Sequence, residues 1–374
     1  MENPFVYTRS VDGKLFCNRK QEQAELLDFI ENSQNVLLYS HRRFGKTSLI
    51  NQVFQNIQKK RLKIGTIIVD LYGTLTEEDF ISVIFQNLHQ IESKTDKVIN
   101  TATKLIKSIK LKHTFDPVTQ SYTITPEFGG TDPKLLLDGV MKIFETYSQK
   151  KKLVIAFDEF QEVAKYSGAE AEFEKRLRTH IQRHKNICYI YSGSQTHILT
   201  RMFNDSSRAF YKQAQSYTLS DIEFKDYELW IKKIFSEYNR TIETPVIEDI
   251  VGRCDGHPMY IQQFLYFLFR ESDKDFSSDL IDQVEQRIIE HNQSEYINLW
   301  DALTQNQKKV LRLIVMNDGK DLYNSQSLQK IRLANPSMVS RALSSLLEKG
   351  IISKNAKYHL QDIFFKRWLE RYID

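Results

Sequence analysis

Short, unbroken apolar runs alternate with longer stretches of helical periodicity through the first half of the chain. Val36-Leu37-Leu38-Tyr39, the Ile67-Ile68-Val69 centre of residues 64–71, Leu153-Val154-Ile155-Ala156-Phe157 and Ile187-Cys188-Tyr189-Ile190-Tyr191 each have the length of a strand. Each reads as a strand, and the uninterrupted run Leu153–Phe157 is of the kind a strand covered on both faces shows. Helices are expected at residues 21–32, 49–57, 77–91, 94–112, 133–150 and 170–184, the last exposed and rich in charge. Thr76-Glu77-Glu78-Asp79 reads as a helix start, with a capping hydroxyl and acids in the first turn. Alternation in Thr114-Phe115-Asp116 and Ser121-Tyr122-Thr123-Ile124, around Pro117, predicts a hairpin-like insertion. Strands alternating with helices imply the α/β class, a parallel sheet with right-handed crossovers.

The pattern then changes. Residues 224–269 are helical in period, and the C-terminal region predicts helices at 304–315, 325–332 and 336–349. Gly350 stops the last of these, and Ile351-Ile352-Ser353 and Tyr358-His359-Leu360 flank the turn-prone Lys354-Asn355-Ala356-Lys357. Three helices and a hairpin make a winged helix. Ser337, Ser340, Arg341 and Ser344 fall on one polar face suited to a major groove, with Met338, Leu343, Leu346 and Leu347 expected to pack inward. Contact with DNA and contact with a protein are both open for this face.

The chemistry lies at two strand ends. Ser40-His41-Arg42-Arg43-Phe44-Gly45-Lys46-Thr47-Ser48 follows one apolar run and precedes a helix, the order a P-loop requires. Backbone N–H groups of such a loop meet phosphates at a helix N-terminus. Lys46 would neutralise phosphate charge and Thr47 would ligate Mg2+. The pattern GxxxxGK[ST] opens with glycine, and Ser40 stands in that place; a small residue permits the turn if its φ is negative. Asp158-Glu159 ends the third apolar run, where α/β sheets bind ligands. There Asp158 can hold Mg2+ and Glu159 can polarise a water for attack on the γ-phosphate. The competing reading is a carboxylate pair that caps the next helix.

Composition narrows the class. The chain has 374 residues, 41% hydrophobic and 27% charged, enough for two or three globular domains. No apolar run is long enough for a membrane span. Three scattered cysteines and an N-terminus without a basic or apolar leader pattern point to a reducing cytoplasm. His180 and His184 lie one helical turn apart, but no third metal ligand is in view. The net charge of +4 is uneven: from Trp300 onward 13 Lys/Arg face 7 Asp/Glu, about +6, leaving the rest near −2. A basic C-terminal domain suits a nucleic-acid partner and equally a solvated surface.

Phe16-Cys17-Asn18-Arg19 with Glu22, the loop ending Gly45-Lys46-Thr47, Phe157-Asp158-Glu159-Phe160-Gln161-Glu162, Gly193-Ser194, Arg208-Ala209-Phe210-Tyr211 and Gly256-His257-Pro258 together resemble prokaryotic AAA-type ATPases. The group they resemble most is the archaeal ATPase family, related to the STAND NTPases. Asn18 stands where that family usually has glycine. The resemblance implies ATP and Mg2+ as cofactors, with Arg19 near base or ribose and Ser194 or Gln195 as a polar sensor. It also implies Pro258 packing near adenine and Arg208 as an arginine finger or sensor. Blander alternatives are a salt-bridging Arg208 and a Gly-His-Pro that only separates two helices. The expected domains are a P-loop ATPase core at 1–220, a helical lid at 221–298 and a winged helix at 299–374. The expected function is Mg-ATP hydrolysis coupled to domain movement, acting on DNA or a protein partner. The alternatives are a slow nucleotide-dependent switch or scaffold, and a DNA-binding regulator. No membrane association is expected; the oligomeric state is open.

Overall fold

The computed structural model describes residues 3–91, 110–116, 121–127, 133–166, 171–194, 196–271, 276–333, 335–354 and 356–372. The chain forms two compact units, one of Ser10–Ser220 and one of Met1–Arg9 with Asp221–Asp374.

The first unit is built on five parallel strands: β1 (Val36–Tyr39), β2 (Ile64–Asp70), β5 (Lys152–Asp158), β6 (Ile187–Gly193) and β7 (Gln215–Thr218), in the order β2-β5-β6-β1-β7. The unbroken apolar runs are explained by cover on both faces. Along β5, Val154 and Ala156 join a core with Leu26, Ile30, Leu49 and Val53 from helices Lys20–Glu31 and Lys46–Lys59. Leu153, Ile155 and Phe157 face the other way, onto helices Glu77–Asn87, Pro133–Ser148 and Glu172–Arg183. Phe157 stacks on Tyr189 with ring centroids 6.0 Å apart, and both rings are fully buried.

Local signals operate as expected at several ends. Thr76 and Asp79 form a reciprocal capping box at the start of Glu77–Asn87. The insertion is an antiparallel hairpin of β3 (Lys110–Asp116) and β4 (Ser121–Glu127). Two expectations need correction. Lys110-Leu111-Lys112 begin strand β3 rather than end a helix, and the remainder of the expected helix at 94–112 lies outside the described residues. Helix Glu172–Arg183 is charged but not wholly exposed, because Phe173, Leu177 and Ile181 recur at i, i+4 and i+8 and bury one stripe. His180 and His184 do not converge: His180 Nε2 meets Asp138 Oδ1 at 2.8 Å, and His184 Nδ1 meets Tyr189 Oη at 2.7 Å. Burial pushes His184 down to about 4, so it is neutral at pH 7. Helix Thr196–Asn204 and strand β7 are elements that the sequence pattern does not predict.

The second unit is helical, with helices Phe224–Glu237, Thr244–Arg253, Pro258–Glu271, Ser278–His291 and Gln293–Asp301. The N-terminal segment belongs to it. Phe5 is buried against Trp230, Phe235 and Phe269, and Asn3 Nδ2 donates to the Tyr266 carbonyl at 2.8 Å. Helices Gln305–Met316, Ser325–Lys330 and Pro336–Glu348 then precede the hairpin of β8 (Ile352–Lys354) and β9 (Tyr358–Leu360) and a final helix, Ile363–Tyr372. The apolar stripe of Pro336–Glu348 is Val339, Ala342, Leu343 and Leu346; Met338 and Leu347, expected inside, are half-buried at its edges. Ser337, Ser340, Arg341 and Ser344 are exposed, as expected. In the last helix Phe364, Phe365 and Trp368 are buried, so its aromatics pack rather than present themselves to solvent. Among the described residues no helix is long and apolar enough to cross a membrane.

Candidate nucleotide site

Sheet order makes the site. Strand β6 lies between β1 and β5, so the loop after β1 meets the carboxylates after β5 across the tip of β6. The loop turns through Arg43 and Gly45, both left-handed at φ 61° and 94°. Glycine at 45 meets the second of these without a Cβ penalty. Ser40 is not among the residues with positive φ, so serine replaces glycine there without backbone strain. His41, Arg42 and Arg43 are exposed, while Phe44 is buried in the core and anchors the loop from below. Ser48 is also buried, its Oγ accepting from Val11 N at 3.0 Å.

Lys46 opens helix Lys46–Lys59 and is buried, with Nζ donating to the Ser40 carbonyl at 3.2 Å and the His41 carbonyl at 3.1 Å. Burial lowers its pKa from 10.5 to about 8, and the nearby Asp158 and Glu159 charges only partly offset this. The unfolded chain keeps that proton up to the ordinary lysine value. Below about pH 8 the desolvated charge therefore costs roughly 3 kcal/mol of stability, a cost that fades as pH rises from 8 to 10.5. The same shift predicts proton-linked ligand binding. A phosphate beside Lys46 would restore the ammonium, so if Lys46 meets the nucleotide, ATP binding at pH 8.5 should take up a sizeable fraction of a proton and affinity should fall as pH rises through 8. Calorimetry in buffers of different ionisation heat measures this; identical heats at pH 8.5 would show that Lys46 does not titrate there.

Thr47 Oγ1 donates to Asp158 Oδ2 at 2.6 Å. The other oxygen, Oδ1, accepts from Ser192 Oγ at 2.7 Å and from Glu159 N at 3.1 Å. A hydroxyl and a carboxylate oxygen are hard donors of the kind Mg2+ takes alongside phosphate and water, so the pair fits that ion. No cluster of three or more His, Cys, Asp or Glu able to hold a metal occurs among the described residues. Asp70, paired with Asp158 in the strand register, adds a third acid at this edge. Its carboxyl is raised above the ordinary aspartate range, first by desolvation and further by Asp158 and Glu159.

Glu159 sits in the left-handed region, φ 52° and ψ 42°, which turns its side chain toward the tip of β6. Its Oε2 accepts from Ser194 Oγ at 2.9 Å, from Ser194 N at 3.3 Å and from Gln161 Nε2. Glu159 therefore ties β5 to the end of β6 rather than capping the following turn; its side chain makes no cap hydrogen bond. Sequence reasoning singles out neither Ser192, Gln161 nor Asp70 for the site. Strand order brings in Ser192 and Asp70, while Gln161 follows Glu159 in the next turn. Gln195 lies outside the described residues.

The remaining candidates make contacts of their own. Arg19 and Asn18 are both left-handed, at φ 52° and 43°, and asparagine is among the side chains that best tolerate the conformation for which glycine is usual. The Arg19 guanidinium is buried, donating to Glu22 Oε1 at 2.9 Å, the Ser220 carbonyl at 2.9 Å and the Phe44 carbonyl at 3.3 Å. It is thus engaged with the underside of the phosphate loop. Arg208 is ion-paired with the fully buried Glu174. Pro258 occupies the first position of helix Pro258–Glu271 in the second unit, after the left-handed Gly256 that follows Thr244–Arg253.

Comparison with known proteins gives the family and the fold. The family model described as "ATPase domain predominantly from Archaea" matches residues 16–264, and that described as "Probable winged helix domain" matches residues 294–371. No curated protein matches. Among solved structures, a Walker-type ATPase of Pyrococcus abyssi is similar at 18% identity and a TM-score of 0.68, covering 98% of this chain and 99% of that one. The Aeropyrum pernix ORC2 protein in its ADP form is 14% identical with a TM-score of 0.54, covering 98% and 95%. The ORC1 protein of the same organism, in complex with DNA, is 12% identical with a TM-score of 0.50, covering 96% and 94%. Identities this low speak for a shared fold.

Proposed function

Because this chain belongs to the ATPase domain family found predominantly in Archaea, we propose that it hydrolyses Mg-ATP at the β1 loop with Glu159 as general base, turnover moving the helical and winged-helix segments that follow the sheet. It is a P-loop ATPase with a C-terminal winged helix. The observation that carries the finer reading is the Thr47–Asp158 contact of 2.6 Å, which joins the two strand ends at one point.

In this reading the N–H groups of the 40–48 loop and the N-terminus of helix Lys46–Lys59 receive the β- and γ-phosphates, and Lys46 leaves the loop carbonyls to neutralise them. Thr47 and Asp158 hold Mg2+, which supplies charge neutralisation at the phosphate oxygens. Glu159 accepts a proton from the attacking water, with Ser194 as the polar group beside it. Arg19 supports the loop through the Phe44 carbonyl. Arg208 holds Glu174 and takes no part in the chemistry.

The exposed face of Ser337, Ser340, Arg341 and Ser344 favours duplex DNA as the effector. Phosphate release by the full chain, with Mg2+ or EDTA and with or without duplex DNA, tests both parts. Turnover should vanish in EDTA. Retention of DNA should fall steeply between about 50 and 200 mM salt and drop roughly tenfold in Arg341→Ala. Unchanged retention in that variant would direct the search to a protein partner, and ATP binding without turnover would favour the switch.

A further inference from the structure

The catalytic reading leaves one buried polar side chain unexplained. Gln161 is 1% exposed and lies in the turn Phe160–Glu162 directly after Glu159. Its Nε2 donates to Glu159 Oε2, while its Oε1 is buried without a hydrogen-bond partner. An orphaned buried carbonyl carries a desolvation cost, so packing alone does not account for an amide here. The donor end is the useful end.

Room for this amide is made from the neighbouring strand. Gly193 is the last residue of β6, and a Cβ built there would overlap Gln161 Oε1 and approach Leu199 Cδ1 to 2.9 Å. Its φ is not among the positive ones, so conformational freedom is not why glycine stands there. Space for Gln161 is. The next residue, Ser194, supplies the other two donors to the same carboxylate oxygen. All three donors converge on Oε2, and none of them engages Oε1.

We propose that Gln161 is a positioning residue for hydrolysis: with Ser194 it fixes Glu159 by Oε2 and leaves Oε1 to accept the proton of the attacking water, and Gly193 is small so that the amide can reach. This rests on Glu159 being the general base. A carboxylate held by one oxygen loses its rotational freedom about the last side-chain bond, so its other oxygen stays aimed where the water must sit.

The test uses the full chain with Gln161→Met, which keeps length and volume but donates no hydrogen bond, and with Gly193→Ala, which displaces the amide while leaving it present. Both should lower kcat by about tenfold or more. The Kd for a non-hydrolysable ATP analogue should stay near the parent's in both, since neither residue belongs to the phosphate loop; the melting temperature should stay near the parent's in Gln161→Met, whereas Gly193→Ala should melt somewhat lower because its methyl overpacks the site. In a Glu159→Gln background, Gln161→Met should cause little further loss, because its effect acts through Glu159.

Three results would overturn the proposal: parental kcat in Gln161→Met, a raised kcat, which would mean the amide restrains Glu159, or an equal fold-loss in both backgrounds, which would mean general packing. Full turnover in Glu159→Gln alone would remove the base assignment itself and this proposal with it. Loss in Glu159→Gln with none in Gln161→Met would remove this proposal only.

Discussion

Replacing Lys46 with alanine should reduce ATP turnover by about a hundredfold to a thousandfold while leaving the protein folded. The loss corresponds to roughly 3–4 kcal/mol, the order expected when a preorganised charged donor is removed from a site of developing charge. Its expected effect on stability has the opposite sign. Lys46 is desolvated, its Nζ donates to carbonyl and hydroxyl oxygens of its own loop, and the Asp158 and Glu159 charges only partly offset the burial, so removing it relieves a buried charge. The variant should therefore melt no lower than the parent near pH 7. Steady-state phosphate release and a thermal melt on the same preparation test both halves. Turnover within threefold of the parent would remove Lys46 from the mechanism, and a fall in melting temperature of many degrees would show that its loop contacts hold the fold.

The second large effect is expected in Glu159→Gln. Glutamine keeps the size of the side chain and one oxygen able to accept from Ser194, so the tip of β6 should stay in place. What disappears is the capacity to take a proton, and general-base loss of this kind lowers rates by about 10²–10⁴. Single-turnover hydrolysis should slow by that factor, with nucleotide binding retained. The pairing with Lys46→Ala is informative because the two variants fail differently: one weakens phosphate capture, the other stalls after it. If Glu159→Gln turns over at the parental rate, another group activates the water. If the parent itself binds ATP and barely turns over, the chain works as a switch whose output should survive the substitution.

How far the sequence carries the reading depends on how local each signal is. The four apolar strands are legible because both faces are covered, and the phosphate loop because its residues are contiguous. Strand β7 is not, since Gln215-Ser216-Tyr217-Thr218 is mostly exposed and becomes a strand only by pairing with β1. Thr47 and Asp158 can be assigned from motif and strand end, but Ser192 and Gln161 cannot. Their part depends on β6 being inserted between β1 and β5, an order that no local pattern encodes. Arg208 shows the reverse: a motif position draws attention to it, and Glu174, 34 residues earlier, holds it. Met338 and Leu347 are expected inside because they are apolar at roughly the right spacing. The buried stripe instead follows Val339, Ala342, Leu343 and Leu346, with Met338 and Leu347 half-buried at its edges.

The insertion of β6 between β1 and β5 also orders events during synthesis. Thr47 and Asp158 are 111 positions apart, and the residues that complete their surroundings, Ser192 and Ser194, leave the ribosome later still. A nascent chain can shape its 40–48 loop early, yet it has no Thr47–Asp158 contact until β5 has docked and no Ser194–Glu159 contact until β6 has slotted in. Such long-range closure is slow compared with local helix formation. Capture of ATP by a growing chain would thus report completion of the sheet, and nucleotide present at that moment would favour the finished fold by mass action.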